Sequence, residues 1–183
     1  MILTKQFLNE TFPTRVLDES LKFCRAKELG SYDVFISYSW HDRAFAYKVV
    51  KLLESCGYTV YIDYNDLKLD RSNVSEDTAK RLVEKMKKCK GLLYLYSPSS
   101  SVSKWCPWEV GVFSGIKNFR CANLPIIDRS GEEYKNQEYL DLYPYIDYEK
   151  TEKTGNYDFW VCESETRYAS LNYWLNNGRL LYH

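Results

Sequence analysis

The sequence lacks the glycine-rich loops and histidine centres on which many nucleotide-binding enzymes and hydrolases depend. It contains 8 glycines, 5 prolines and 2 histidines among 183 residues. Neither GxGxxG nor GxxxxGK[ST] occurs, which excludes the two common glycine cradles for nucleotide phosphates. A Ser/His/Asp triad would have to use His41, which we interpret as a solvent-exposed neighbour of a helix start. A bound phosphate would therefore depend on helix N-termini and serine-rich loops.

An excess of charge of one sign is also missing. The 25 basic residues balance 25 acidic ones, which argues against a nucleic-acid partner, because such binding needs a net basic face. No apolar run is long enough to span a bilayer, and the first ten residues lack the basic-then-apolar order of a signal peptide. We therefore expect a cytoplasmic protein with no membrane partner.

The cysteine pattern argues against a metal centre. Six cysteines are widely spread with no CxxC pair, which predicts neither a zinc site nor a disulfide framework. We expect no bound metal and expect most of the thiols to act as small core residues.

The chain divides into an N-terminal helical extension, residues 1–30, and an α/β domain, residues 31–183. Leu17, Leu21 and Cys24 lie at helical spacing in the extension. From residue 31 strands alternate with helices, which predicts a parallel sheet of about five strands covered by helices on both faces. The predicted strands are 32–37, 58–62, 91–96, 124–127 and 143–148. The predicted helices follow Asp42 and Ser75 as N-caps and span 105–116 and 163–176.

Ligands of open parallel sheets bind beyond the carboxyl ends of the strands. Three polar segments follow predicted strands and should meet there: Ser37-Tyr38-Ser39-Trp40, Asp63-Tyr64 and Ser97 to Ser103. These segments supply the candidate binding residues.

Glu109 is the candidate catalytic residue. It shares a helical stripe with Trp105, Val112 and Ile116, so a carboxylate lies within an apolar face. Such a group is costly to bury without partners and is a candidate site residue. A surface glutamate that favours the helix dipole explains the spacing equally well.

The sequence also resembles a known family. Tyr32-Asp33-Val34-Phe35-Ile36-Ser37-Tyr38 is similar to the first box of TIR (Toll/interleukin-1 receptor) domains. Ser103-Lys104-Trp105-Cys106-Pro107-Trp108-Glu109 resembles their WxxxE helix, and Asp66 to Arg71, with Val74, Thr78-Ala79 and Met86, resembles the BB-loop region of stand-alone bacterial members. The resemblance covers residues 31 to 127 and implies a flavodoxin-like fold.

TIR domains include scaffolds that signal by self-assembly and enzymes that cleave NAD with the WxxxE glutamate, here Glu109. The resemblance to bacterial Thoeris-type antiphage proteins implies that NAD is the substrate rather than a cofactor. It also implies a homo-oligomer in which a neighbour's BB-loop region, residues 64–75, completes the site, and a cyclic ADP-ribose product that activates an effector protein. The proposed NAD contacts are Ser37, Tyr38, Ser39, Trp40, Asp63, Tyr64 and Trp105, with either Tyr38 or Trp40 stacking on the base.

One carboxylate is chemically sufficient for this reaction. Nicotinamide leaves NAD as a neutral group, so no general acid is needed, and a carboxylate near the ribose stabilises the oxocarbenium-like cation. The sequence leaves hydrolysis and cyclisation open. The alternatives are a non-catalytic TIR scaffold and, more distantly, a nucleoside-processing enzyme. The absence of glycine and proline between Tyr64 and Ser75 weakens adaptor-style recognition through that loop.

Overall fold

The computed structural model describes residues 1–13, 30–63, 75–97, 100, 103–128, 138–152 and 154–183. Within these ranges the chain forms five α-helices and nine β-strands. The helices are α1 (Lys5–Thr11), α2 (Arg43–Ser55), α3 (Glu76–Lys87), α4 (Trp105–Ile116) and α5 (Leu171–Asn177). The strands are β1 (Leu3–Thr4), β2 (Tyr32–Ser37), β3 (Val60–Tyr61), β4 (Cys89–Tyr96), β5 (Cys121–Ile127), β6 (Tyr145–Lys150), β7 (Tyr157–Ser164), β8 (Arg167–Ser170) and β9 (Leu181–Tyr182).

Five parallel strands form the centre of the sheet in the order β3-β2-β4-β5-β6. Numbered along the chain, these five strands have the order 2-1-3-4-5, which is the flavodoxin-like order. The predicted fold class is therefore confirmed. Because all five strands run in the same direction, the segments that follow them emerge at one edge of the sheet.

The helices cover both faces of this sheet, as predicted. Along β2, Val34 and Ile36 join an apolar cluster that includes residues of α2 and α5, whereas Phe35 packs with residues of α3 and α4. Side chains alternate across a strand, so a strand buried on both faces is apolar at successive positions. This explains why Val34, Phe35 and Ile36 are all fully buried.

The cap predicted for α3 is present. The Ser75 side chain accepts a hydrogen bond from the Thr78 N–H at 3.2 Å. At the end of α2, Gly57 has φ +90°, a left-handed conformation that favours glycine, and its N–H donates to the Glu54 carbonyl. These two local signals set the helix boundaries.

Beyond β6 the sheet continues with the antiparallel strands β7, β8 and β9. The predicted helix over 163–176 is therefore wrong at its start, because residues 157–164 and 167–170 are strands and α5 begins at Leu171. The side chains of Phe159 and Val161 are buried while Trp160 between them is only partly buried, which is the two-residue period of a strand. Ser170 then caps α5 by accepting from the Tyr173 N–H.

Residues 1–13 join the sheet. Leu3 and Thr4 pair in parallel with Ile126 and Ile127 of β5, and α1 packs against α2. The Leu8 side chain is fully buried. The segment of the predicted extension with Leu17, Leu21 and Cys24 lies outside the described residues, and the domain boundary at residue 30 stays a prediction.

A buried lysine joins α1 to α2. Lys48 on α2 is 2% exposed, and its Nζ donates to Asn9 Oδ1 on α1 at 2.5 Å. Burial lowers the pKa of this ammonium group, because desolvation disfavours its charged form. The contact with Asn9 supplies an acceptor for the buried donor.

Most of the described thiols lie in the interior. Cys89, Cys106 and Cys121 are buried, and burial raises the pKa of the Cys89 and Cys121 thiols to about 12. The prediction that most cysteines act as core residues is confirmed for these three, whereas Cys24 lies outside the described residues. Among the described helices, none has the length and apolar character that crossing a membrane requires.

The buried side chain of α1 generates a test of how firmly residues 1–13 belong to the core. Leu8→Ala should lower the free energy of unfolding by about 2–5 kcal/mol, the usual cost of truncating a buried leucine. Urea denaturation measures this change, with Glu10→Ala as a control at an exposed position of the same helix. If Leu8→Ala unfolds at the same urea concentration as the parent protein, α1 is not part of the cooperative core.

Candidate active site

Glu109 is fully buried at the carboxyl edge of the sheet. It lies in the second turn of α4, and its side chain is 0% exposed. Ser37, the last residue of β2, is also 0% exposed, and its Oγ donates to Glu109 Oε2 at 2.5 Å. This bond fixes the Glu109 side chain relative to β2. The interpretation of Glu109 as a surface glutamate is therefore wrong.

The helix that carries Glu109 has the predicted bounds but presents a different face to the core. The buried residues of α4 are Cys106, Glu109, Val110, Phe113 and Ser114. Of the predicted stripe, Trp105 and Val112 are only partly buried, and Ile116 is 39% exposed. Apolar residues at spacings of three and four define two adjacent faces of this helix. Spacing alone did not show which of the two faces is buried. Glu109 belongs to both stripes.

The first predicted binding segment divides into buried and exposed residues. Tyr38 and Ser39 are buried, and the Tyr38 ring belongs to the core cluster that contains residues of α2. Trp40 is 57% exposed, with the guanidinium of Arg43 5.0 Å from its ring centre. Of the two aromatic candidates for base stacking, Trp40 is therefore the solvent-accessible one.

The other predicted binding residues follow β3 or begin α4. Asp63 is 5% exposed just beyond β3. Trp105 is partly buried and packs edge-to-face on Trp108, with ring centres 5.4 Å apart. Tyr64 and the predicted BB-loop region up to Val74 lie outside the described residues. The structure thus joins Ser37 to Glu109 by a hydrogen bond and places the other described candidates on the adjoining segments.

Sequence reasoning missed a further buried carboxylate at this edge, besides Glu109 and Asp63. Asp42 precedes α2, all of whose residues are described, yet its side chain makes no capping hydrogen bond to that helix. It is 4% exposed and accepts a hydrogen bond from Ser97 Oγ at 2.5 Å. An aspartate before a helix is the usual cap signal, and nothing in its spacing indicated a partner 55 residues away.

Ser97 and Ser100 hydrogen-bond to each other beyond the end of β4. The Ser97 N–H donates to Ser100 Oγ at 2.9 Å, and the Ser100 N–H donates to Ser97 Oγ at 3.2 Å. Tyr94 Oη donates to the Ser100 carbonyl at 3.2 Å, and burial raises the pKa of this phenol, so that it stays a neutral donor. These hydrogen bonds therefore fix Ser97 and Ser100 relative to each other and to β4.

This arrangement suits the stabilisation of a positive charge by a fixed carboxylate. Glu109 is buried away from bulk water. An electrostatic interaction is stronger in such an interior than in solvent. The described residues contain no group of three or more His, Cys, Asp and Glu side chains able to hold a metal ion. The functional groups that the described residues bring to the site are thus carboxylates, hydroxyls and aromatic rings.

Two curated relatives carry names that describe cyclic ADP-ribose synthesis. The chain is 39% identical over 149 residues to a protein of Bacillus cereus (strain MSX-D12) named "Probable 3' cyclic ADP-D-ribose synthase ThsB'". That match covers 80% of this chain and 77% of the relative. A candidate cyclic ADP-D-ribose synthase of Cytobacillus dafuensis, TIR2, is 29% identical over 96 residues, covering 51% of this chain and 25% of that protein.

Two solved structures with some likeness to this chain are of animal receptors. The TIR domain of the Toll-related receptor TRR-2 from Hydra magnipapillata matches with a TM-score of 0.47 and 17% identity, over 63% of this chain and 82% of that one. A metazoan TIR-STING receptor from C. gigas matches with a TM-score of 0.41 and 22% identity, over 51% of this chain and 30% of that one.

The bond between Ser37 and Glu109 generates a stability prediction. Ser37→Ala removes a donor to a buried carboxylate and should lower the free energy of unfolding by about 1–3 kcal/mol. In the Ser37→Ala/Glu109→Ala double variant the loss should be smaller than the sum of the single losses, because each single change removes the same hydrogen bond. Urea denaturation of the four proteins measures this coupling, with Ser55→Ala as an exposed serine control. Strictly additive losses would contradict the contact.

A family model described as "TIR domain" matches residues 34–159. The match begins in β2, includes Glu109 and α4, and ends in β7. It covers more than half of the chain, and the B. cereus relative aligns over most of both proteins. The chain therefore belongs to the TIR domain family.

Proposed function

We propose that this TIR protein cleaves the bond between nicotinamide and ribose in NAD and closes the remaining ADP-ribose into a cyclic product. The observation that carries the proposal is the burial of Glu109 at the carboxyl edge of the sheet, in hydrogen-bond contact with Ser37. The names of the two relatives as cyclic ADP-ribose synthases support the same reaction.

The proposed role of Glu109 is electrostatic. As the C–N bond breaks, positive charge develops on the ribose and nicotinamide departs as a neutral molecule, so no proton has to be supplied to it. A carboxylate already fixed beside the ribose stabilises that charge without reorganising during the reaction. The Ser37 hydroxyl holds one carboxylate oxygen and leaves the group pre-oriented.

The aromatic side chains are proposed to hold the dinucleotide. Trp40 is the accessible ring on the segment after β2, and offset stacking on a flat base suits it. Trp105 begins the helix that carries Glu109 and provides a second ring near the site. Ser39, Asp63 and Tyr64 complete the proposed contacts with NAD, and buried Tyr38 supports them from the core side.

Cyclisation is proposed over hydrolysis because both relatives are named as synthases of a cyclic product. A site that excludes water lets a nucleophile of the same substrate molecule capture the ribose cation. The B. cereus relative is named for the 3′ cyclic isomer, which is the isomer we expect here. An effector protein that responds to this product is the proposed downstream partner.

The role of Glu109 generates a direct test. Glu109→Gln keeps the shape and the acceptor for Ser37 but removes the charge, so turnover of NAD should fall by at least about a hundredfold. Mass analysis of the products measures this loss, and it also separates cyclic from linear ADP-ribose, because the cyclic product is lighter by one water. Glu54→Gln, at an exposed position of α2, is the matched control.

A Glu109→Gln protein that melts normally and cleaves NAD at the parent rate would contradict this role. A parent protein that releases no nicotinamide as a purified oligomer or in phage-infected lysate would favour the alternative of a non-catalytic TIR scaffold.

The proposed activity depends on assembly into a homo-oligomer. Residues 64–75, most of which lie outside the described residues, are the proposed contribution of a neighbouring subunit to the site. Specific activity should therefore rise with protein concentration over the range in which light scattering reports assembly. A strictly monomeric protein with full activity that is independent of concentration would overturn this part of the proposal.

A further inference from the structure

We propose that Asp42 is a positioning residue, which sets the geometry of Glu109 through a series of serine hydrogen bonds that ends at the first turn of α4. The inference rests on the proposed function in that Glu109 is taken as the catalytic group. The role of Asp42 itself is argued from the contacts at the carboxyl edge.

The environment of Asp42 is unusual for a residue that precedes a helix. An exposed cap satisfies the first N–H groups of its own helix, but Asp42 is buried and directs its carboxylate to Ser97 instead. Burying a carboxylate is costly, and the positive end of the α2 dipole offsets part of that cost. The side chain therefore links the segment after β2 to the segment after β4.

From Ser97 the contacts continue to the helix that carries Glu109. Ser100 Oγ donates to the Ser97 carbonyl at 2.8 Å, and the Ser103 N–H donates to the Ser100 carbonyl at 3.1 Å. Ser103 Oγ then accepts from the Cys106 N–H at 3.4 Å, in the first turn of α4. Asp42 is thereby connected to the N-terminus of α4 through three serines.

Two routes of hydrogen bonds lead to the part of α4 that carries Glu109. One route runs from Asp42 through the serines to Cys106, three residues before Glu109. The other is the direct hydrogen bond between Ser37 on β2 and Glu109. Tyr94 cross-links the two routes, because it pairs with Ser37 in the sheet register and donates to the Ser100 carbonyl. The helix is thus fixed to the sheet both at its first turn and at Glu109.

The two hydrogen-bonded anchors constrain the direction of the carboxylate in addition to the packing of Val110 and Phe113, and loss of one anchor weakens that constraint. Catalysis by a fixed charge depends on position, and a displacement of about 1 Å can lower a rate by about a hundredfold. Loss of Asp42 should therefore affect the chemical step more than the binding of NAD. A residue that merely holds a loop would instead change stability alone.

Enzyme kinetics on the full-length protein separate these two roles. Asp42→Ala should lower kcat for NAD cleavage by about tenfold or more, with a smaller change in KM, because a misplaced group loses transition-state stabilisation. Asp42→Asn retains an acceptor for Ser97 and should recover part of the lost rate. The rate losses of Asp42→Ala and Ser97→Ala should be less than additive in the double variant, since both changes break the hydrogen bond between these two side chains. Glu54→Ala removes an exposed carboxylate from α2 and should match the parent.

Hydrogen exchange provides a readout that does not depend on activity. In Asp42→Ala the amide N–H of Cys106 and its neighbours in the first turn of α4 should exchange faster than in the parent, while those of α3 should not change. Parental kcat in Asp42→Ala, or unchanged exchange in α4, would overturn the inference. If the parent itself fails to cleave NAD, the proposed function fails, and the exchange measurement still decides whether Asp42 positions α4.

Discussion

The hydrogen bond between Ser37 and Glu109 is the contact on which the arrangement of the site depends. It joins the last residue of β2 to a helix that begins more than sixty residues further along the chain. A carboxylate is costly to bury without a donor, and the Ser37 hydroxyl reaches Glu109 only because α4 packs against β2 in the folded sheet. The position of Glu109 in the site therefore depends on the packing of α4 against the sheet.

The position of this bond follows from the order of the strands. The chain passes from β2 outwards to β3 and then returns to the other side of β2 to form β4. Segments leaving neighbouring strands in opposite directions open a crevice at such a switch point. Ser37 and Ser97 follow the two strands that flank this point, and their partners are Glu109 and Asp42. Each carboxylate is thus held by a serine at the end of one of the two central strands.

The sequence predicted the structure best where a local pattern is compatible with only one kind of element. The run from Val34 to Ile36 is compatible only with a strand buried on both faces, and the bounds of α4 agree with the prediction. Glu109 was identified because it interrupts an apolar helix, although the buried face of that helix could not be chosen from spacing. Asp42 fits a cap and a buried acceptor equally well, and only the folded position of Ser97 decides between them. The pairing of Leu3 and Thr4 with β5 is too short to leave a periodic pattern.

The distribution of buried polar groups separates the requirements of folding from those of the site. Of the twelve buried polar or charged side chains in the described ranges, seven lie at the carboxyl end of β2, on the segments after β2, β3 and β4, or in the first two turns of α4: Ser37, Ser39, Asp42, Asp63, Ser97, Ser100 and Glu109. Apolar side chains of similar size at such positions would often stabilise a fold, since buried charge is costly even when it is paired. The central stretches of β2 and β4, by contrast, are apolar, as stability alone requires. The proposed function accounts for such a polar cluster, because it lies at the edge where ligands of this fold class bind.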